Sequence, residues 1–122
     1  MNRSENISQF LNFIEQAKTD YQASIDGVKT EEKRQEDLLH EIEFCTSANE
    51  RSRLATKLHK CREARRKYKD VQEETSWVVS FVTDPANKKT FDKMKQLLGN
   101  VRKAEKYHEN RVYVPRLKEG EE

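Results

Sequence analysis

The chain has 122 residues and a mass of 14.5 kDa, which suffices for one domain but not for a multi-lobed enzyme. Charged residues make up 38% of it and hydrophobic residues 34%, with only three glycines and two prolines. So few turn-forming residues exclude a β-sandwich, a barrel or a doubly wound sheet, and no apolar run approaches the ~20 residues of a membrane span. We therefore expect an all-α fold in a single domain over residues 1–122.

A seven-residue apolar repeat predicts the first helix, over residues 5–45. The repeat positions are Ile7, Ile14, Tyr21, Val28, Gln35 and Ile42. Such a repeat gives a long helix that packs along its whole length, and Ser4 is the predicted N-cap. The apolar stripe loses its large side chains between Gly27 and Glu36, where we expect a kink or a local break.

The second helix is predicted over residues 48–82, starting at a capping box formed by Ser47 and Glu50. Its repeat positions are Leu54, Cys61, Tyr68, Thr75 and Val82. Because only a few residues connect the two helices, they should lie antiparallel as a long, coiled-coil-like hairpin.

A third helix is predicted over residues 85–109, after the stop signal Thr83-Asp84-Pro85. Gly99 interrupts this helix, which indicates that another backbone approaches there. Residues 110–122 are expected to form a short extended tail. The apolar residues expected to be buried by the third helix are Phe91, Met94, Leu97, Leu98, Val101 and Ala104.

The side chains that could carry chemistry are few and poorly spaced for it. Cys45 and Cys61 would lie about 18 Å apart along the second helix, so we predict free thiols and a reducing compartment. His40 and His59 do not combine with the cysteines into the short ligand pairs that zinc requires. Phosphate loops and hydrolase signatures do not occur in the sequence. We expect no metal, no cofactor and no enzymatic activity.

Charge is distributed unevenly along the chain. Residues 1–49 carry ten acidic and five basic residues, whereas residues 50–70 carry nine Lys or Arg against three acidic residues. This pattern predicts some pairing between the first two helices and a basic outer surface. The predicted partner-binding residues are Arg62, Arg66, Lys69, Lys95, Arg102, Lys103 and Lys106.

Two interpretations of these charges stay open. The basic stripes suit either the phosphates of a nucleic acid or an acidic groove on a protein. An acidic face on the first helix, with Glu31, Glu32, Glu36 and Asp37, would instead imitate a nucleic acid toward a basic partner. Direct base recognition is not expected, because the aromatic residues fall mainly on the apolar seam. Near Phe10 and near Trp77, aromatic residues occur on more than one helix face. Aromatic side chains exposed in this way often form an interface, so a homodimer is a further possibility.

Several segments together carry a resemblance that runs from about Tyr21 to the C-terminal region. They are Leu54-Ala55-Thr56-Lys57-Leu58, Arg62-Glu63-Ala64-Arg65-Arg66-Lys67-Tyr68-Lys69-Asp70, Asn87-Lys88-Lys89, Leu97-Leu98-Gly99-Asn100-Val101-Arg102-Lys103 and His108-Glu109-Asn110-Arg111-Val112-Tyr113-Val114-Pro115. In the composition and order of these segments, the chain resembles small accessory proteins of phages and prophages of Gram-positive bacteria.

The resemblance implies a phage-encoded binding protein that acts in the cytoplasm of the bacterial host. That class includes host-takeover factors and anti-CRISPR inhibitors of the Cas9 nuclease, so the implied partner is a host protein such as Cas9 or its guide RNA complex. Direct nucleic-acid binding during phage replication or transcription is the alternative. A coiled-coil chaperone or scaffold is a third hypothesis.

Overall fold

A computed structural model describes residues 2–117, and its architecture is three helices in chain order. These are α1 (Arg3–Phe44), α2 (Ala48–Thr83) and α3 (Pro85–Asn110). The all-α prediction is confirmed, and each helix boundary lies within two residues of the predicted one. Residues 111–117 follow as an exposed segment without regular secondary structure, and residues 118–122 of the predicted tail lie outside the described residues. Within residues 2–117, no helix combines the length and apolar character that crossing a membrane requires.

The start of α1 differs from the prediction. Asn2, not Ser4, is the N-cap, and its side-chain oxygen accepts a hydrogen bond from the backbone N–H of Glu5 at 2.9 Å. Ser4 lies two residues further in and is buried, with its hydroxyl donating to the Asn2 side chain at 3.0 Å. Asparagine and serine cap helices almost equally well, so sequence preference did not distinguish them.

The signals predicted for the other two helix starts are found in the structure. The Ser47 hydroxyl accepts a hydrogen bond from the Glu50 N–H at 3.3 Å, although the Glu50 carboxylate pairs with Arg53 at 2.6 Å. Asp84 caps α3 by accepting from the Ala86 N–H at 2.9 Å, with proline in the first turn. Serine and aspartate side chains thus satisfy N–H groups that the helices leave unpaired.

The hairpin of α1 and α2 contains most of the buried residues. Leu38 packs with Leu54 and Cys61 in its core, and the Cys61 thiol donates to the backbone carbonyl of Glu31 at 3.1 Å. Partly buried Ile42 packs at the edge of this cluster. Leu54 lies beside Leu38, whereas Cys61, seven residues later on α2, contacts Glu31, seven residues earlier on α1. The two helices are therefore antiparallel, as predicted.

In the described part of the chain, the local break expected near Gly27 and the close backbone approach expected at Gly99 are both absent. α1 is one unbroken helix across Gly27–Glu36. Its Gly27 is the position of close approach, because a Cβ atom there would lie 2.6 Å from the ring of Tyr68 on α2. Nothing lies within 4 Å of the corresponding position at Gly99, which therefore faces open space.

α3 lies along the N-terminal part of α1 and runs antiparallel to it. Phe91, near its start, shares a cleft with Ile14, whereas Glu105, near its end, accepts a hydrogen bond from the Ser4 N–H at 3.2 Å. The predicted burial is wrong for this helix, because none of its residues is fully buried. Leu97 is 49% exposed and Ala104 is exposed as well, while the other four predicted residues are partly buried. This helix makes only limited contact with α1 and with α2, so only a narrow stripe of it is covered.

Candidate binding surface

The basic residues predicted on α2 lie on its solvent face. Leu54 and Cys61 point toward α1, so residues on the opposite side of α2 point toward solvent. Arg62, Arg66 and Lys69 are all exposed, and none forms an ion pair with a described residue. Their three positive charges are therefore available to a partner.

Trp77 continues the same line of side chains. The spacings from Arg62 through Arg66, Lys69 and Glu73 to Trp77 are four, three, four and four residues, which keeps all five on one helix face. We call these five residues the outer stripe. At 1.5 Å per residue it is about 22 Å long, with cations at one end and an indole at the other.

The expectation that the aromatic residues fall mainly on the seam is wrong at this part of the molecule. Trp77 is 75% exposed, and Phe81 and Phe13 are also more than half exposed. Trp77 lines an open groove of about 340 Å³ together with Tyr21 of α1. The exposure of Trp77 agrees with the expectation that the aromatics near it extend beyond one face. Trp77 was nevertheless not among the predicted binding residues, because those were chosen by charge alone.

The four basic residues predicted on α3 lie elsewhere. Lys95 lines a cleft between α1 and α3, while Arg102 and Lys106 line an open groove of about 750 Å³ with Arg3. Lys103 and Lys106 line a second groove, of about 540 Å³, with Arg111. We call these residues around the two grooves the basic end. Its members are Arg3, Arg102, Lys103, Lys106 and Arg111.

Six of the seven predicted binding residues thus form two groups, one on each of two helices. The outer stripe contains the three from α2, the basic end contains three of the four from α3, and Lys95 stands apart. Two carboxylates also line the larger groove beside the basic end. Glu105 there is already bonded to the N-terminus of α1, and Glu109 lines the larger groove.

Pairing between the acidic first helix and the basic second helix is slight. Among the described residues, Arg65 and Glu32 form the one ion pair between helices, at 3.2 Å. The other five lie within a helix. Most charges of α2 consequently face solvent, where a partner can reach them.

The acidic face predicted on α1 is smaller than expected. Glu31 is only 5% exposed and packs inside the hairpin, and Glu32 is engaged by Arg65. Glu36 and Asp37 are the two members that stay exposed without an ion pair among the described residues. Two adjacent carboxylates do not reproduce the regular phosphate spacing of a nucleic acid.

The cysteines and histidines are held by local partners. The Cys61 thiol is buried, and its pKa is raised first by that burial and then by its neighbour Glu31. Cys45 donates to the Ser47 carbonyl at 3.2 Å, so the two thiols have different partners. His59 contacts Glu63 at 2.6 Å. Within residues 2–117, no three metal-binding side chains come together.

Comparisons with protein-family models, with curated proteins and with solved structures found no match. The outer stripe and the basic end are therefore interpreted from their own geometry and charge. Both surfaces combine unpaired cations with an exposed aromatic side chain. Trp77 of the outer stripe is 75% exposed, and Tyr107, beside Lys103 and Lys106, is 64% exposed, so Trp77 is both the larger and the more exposed of the two.

Proposed function

We propose that this chain is a non-enzymatic helical binding protein whose outer stripe docks onto an acidic surface of a protein partner. The observation that carries the proposal is the exposure of Trp77, 75% of which is open to solvent, in line with three unpaired cations. Tryptophan and arginine are the side chains most enriched among the residues that dominate protein interfaces.

The chemistry of the outer stripe favours a protein partner of opposite charge. A large apolar indole gains most when a partner pocket removes it from water. Arg62, Arg66 and Lys69 make no ion pairs within the described chain, so binding to carboxylates does not require them to break existing ones. Such a surface would combine charge-guided association with one aromatic anchor.

The partner that we propose is a host nucleic-acid-handling enzyme, with the protein encoded by a phage and acting in the bacterial cytoplasm. The sequence resemblance to phage accessory proteins supports this finer proposal. Inhibition of Cas9, alone or with its guide RNA, is its most concrete version. Binding without catalysis is sufficient for an inhibitor of this kind, since blocking a functional surface stops the enzyme.

Affinity capture from a Gram-positive host lysate, followed by mass spectrometry, tests the proposal. The triple variant Arg62→Glu, Arg66→Glu, Lys69→Glu should lose the captured partner, and Trp77→Ala should weaken capture by about 30-fold or more. The matched control Lys67→Glu, Lys89→Glu, Lys93→Glu changes net charge equally at exposed positions outside the outer stripe and should still capture it. Equal capture by all variants would contradict the proposal.

Two further measurements sharpen that test. A DNA-cleavage assay with purified Cas9 and guide RNA should show inhibition by the native chain and not by the triple variant. Light scattering should be run first, because the exposed aromatic residues also suit a homodimer and the oligomeric state sets the binding stoichiometry.

Direct nucleic-acid binding is the second candidate function, and the basic end supports it. Five cations line or adjoin two open grooves there, which suits contact with several phosphates. A protein that neutralises about four phosphates loses about 100-fold in affinity between 50 and 200 mM salt. A mobility shift at low salt that depends on Arg102 and Lys106, and not on Trp77, would favour this function over the first.

A further inference from the structure

A cleft lies where the three helices meet, away from the outer stripe. It has a volume of about 250 Å³ and is more enclosed than the grooves of the basic end. Apolar side chains from all three helices form its floor, namely Leu11 and Ile14 of α1, Val82 of α2 and Phe91 of α3. Ile14 and Val82 are almost fully buried, so little of their surface is open to solvent at this floor.

The rim of this junction cleft is charged, with three lysines and two carboxylates. Lys18 is held by Glu15 at 3.3 Å. Lys88 and Lys95 lie seven residues apart on the same side of α3 and make no ion pair with a described residue. With Asp92 also on the rim, the lining residues carry one net positive charge.

We propose that the junction cleft binds a small amphiphilic anion, an aromatic or short aliphatic group that carries one carboxylate or sulfonate. An apolar cavity of about 150 Å³ accommodates benzene, so 250 Å³ has room for a ring and a short chain. The apolar part would cover the floor, and the anionic head would lie at the rim beside Lys88 and Lys95. An apolar pocket with a few well-placed polar groups is the usual form of a small-molecule site.

This proposal is independent of the proposed function, because the junction cleft contains no residue of the outer stripe. It also explains the position of Lys95, which belongs to neither of the two surfaces described above. A small ligand that bridges three helices would hold α3 against α1 and α2, since it binds only the assembled junction.

Titration of the ¹⁵N-labelled chain with 3-phenylpropionate, followed by NMR, tests the proposal. We expect saturable chemical-shift changes centred on Leu11, Ile14, Val82 and Phe91, with a Kd of about 0.1–10 mM for a ligand of this size. The uncharged analogue 3-phenylpropan-1-ol should bind more weakly, since it lacks the anionic head.

Two double variants make the test specific for the rim. Lys88→Gln, Lys95→Gln should weaken 3-phenylpropionate binding by about three- to tenfold and leave 3-phenylpropan-1-ol binding unchanged. The control Lys89→Gln, Lys93→Gln alters exposed lysines of the same helix that do not line the junction cleft, and it should bind as the native chain does. All four changes lie at exposed positions, so the fold should be retained.

Three results would overturn the proposal. They are shift changes that do not saturate, equal affinity of the two double variants, and shifts centred on Trp77 or Phe13 instead of the floor. Trp77→Ala should bind 3-phenylpropionate normally, so failure of this site is distinguishable from failure of the outer stripe.

Discussion

The ring of Tyr68 on α2 lies directly against the backbone of Gly27 on α1. A Cβ atom at Gly27 would lie 2.6 Å from two ring carbons, far inside normal contact. The helices can pack this closely only because residue 27 has no side chain. At this point of the interface α1 has no large apolar side chain, and the ring of Tyr68 from α2 fills the space that such a side chain would occupy.

Gly27→Ala should therefore destabilise the hairpin, although alanine is the better helix former. The clash should lower the free energy of unfolding by about 1–3 kcal/mol, which outweighs a helix-propensity gain of about 1 kcal/mol. Urea denaturation followed by circular dichroism measures the difference.

The same substitution in a Tyr68→Ala background should have the opposite sign. Without the ring, only the propensity gain remains, so the double variant should be more stable than Tyr68→Ala alone by about 1 kcal/mol. Destabilisation of equal size in both backgrounds would show that the ring is not the cause.

The heptad repeat predicted the helices and the hairpin because periodicity shows which face of a helix is apolar. Ile14, Leu54 and Cys61 are buried accordingly. Periodicity does not predict which residues of two helices meet across the seam, so the pair of Gly27 and Tyr68 was not predicted.

The candidate site was predicted only in part, for a related reason. Arg62, Arg66 and Lys69 could be placed on the outside from their spacing to the seam. Trp77 is 75% exposed, and its apolar side chain carries no charge that would have marked it as part of a basic binding surface. The junction cleft requires residues from three helices, and no local pattern brings Leu11 near Phe91.

Glu31 is a buried carboxylate that is only half satisfied. One oxygen pairs with Arg34, and the other, Oε2, is buried without a hydrogen-bond partner. Glu31→Met keeps a similar volume and removes this penalty, so it should raise the free energy of unfolding by about 1–3 kcal/mol. Chemical denaturation measures the change.

Glu32→Met is the matched control for Glu31→Met. Glu32 lies half-exposed and joins α1 to α2 through Arg65, so its loss should lower stability by about 0–1 kcal/mol. If Glu31→Met were the more destabilising of the two, the buried carboxylate would instead be holding the hairpin together.

Cys61 should make the stability of the hairpin depend on alkaline pH. Its pKa is raised in the folded state, first by burial and then by Glu31, whereas an unfolded thiol ionises at its ordinary pKa of about 8.5. A raised folded pKa means that the stabilisation is complete below the unfolded pKa and is lost as pH rises through the folded pKa. The free energy of unfolding should therefore fall above about pH 8.5, by at most ~1.4 kcal/mol per pH unit.

Urea denaturation under reducing conditions at pH 7.5, 8.5 and 9.5 measures this dependence. Cys61→Ala should be less stable at pH 7.5, because a buried side chain is truncated, but its stability should fall less between pH 7.5 and 9.5. Cys45→Ala leaves the buried thiol in place and should follow the native slope. An unchanged slope in Cys61→Ala would assign the effect to other groups.

Glu105 should control how firmly α3 is attached. Its carboxylate accepts a hydrogen bond from the Ser4 N–H at 3.2 Å, which supplies a partner for an N–H group in the first turn of α1. A second tie is the edge-to-face contact of Phe81 with Phe91, whose ring centroids are 6.2 Å apart. Since α3 has no fully buried residue, loss of either tie should release it before the hairpin unfolds.

Hydrogen exchange followed by mass spectrometry tests this order. Glu105→Gln replaces a charged acceptor by a neutral one and should speed amide exchange in residues 97–110 by about fivefold, while leaving exchange around Leu54 unchanged. Glu109→Gln removes a neighbouring carboxylate on the same helix and should not change exchange. Uniformly faster exchange across α1 and α2 in Glu105→Gln would mean that α3 and the hairpin unfold as one cooperative unit.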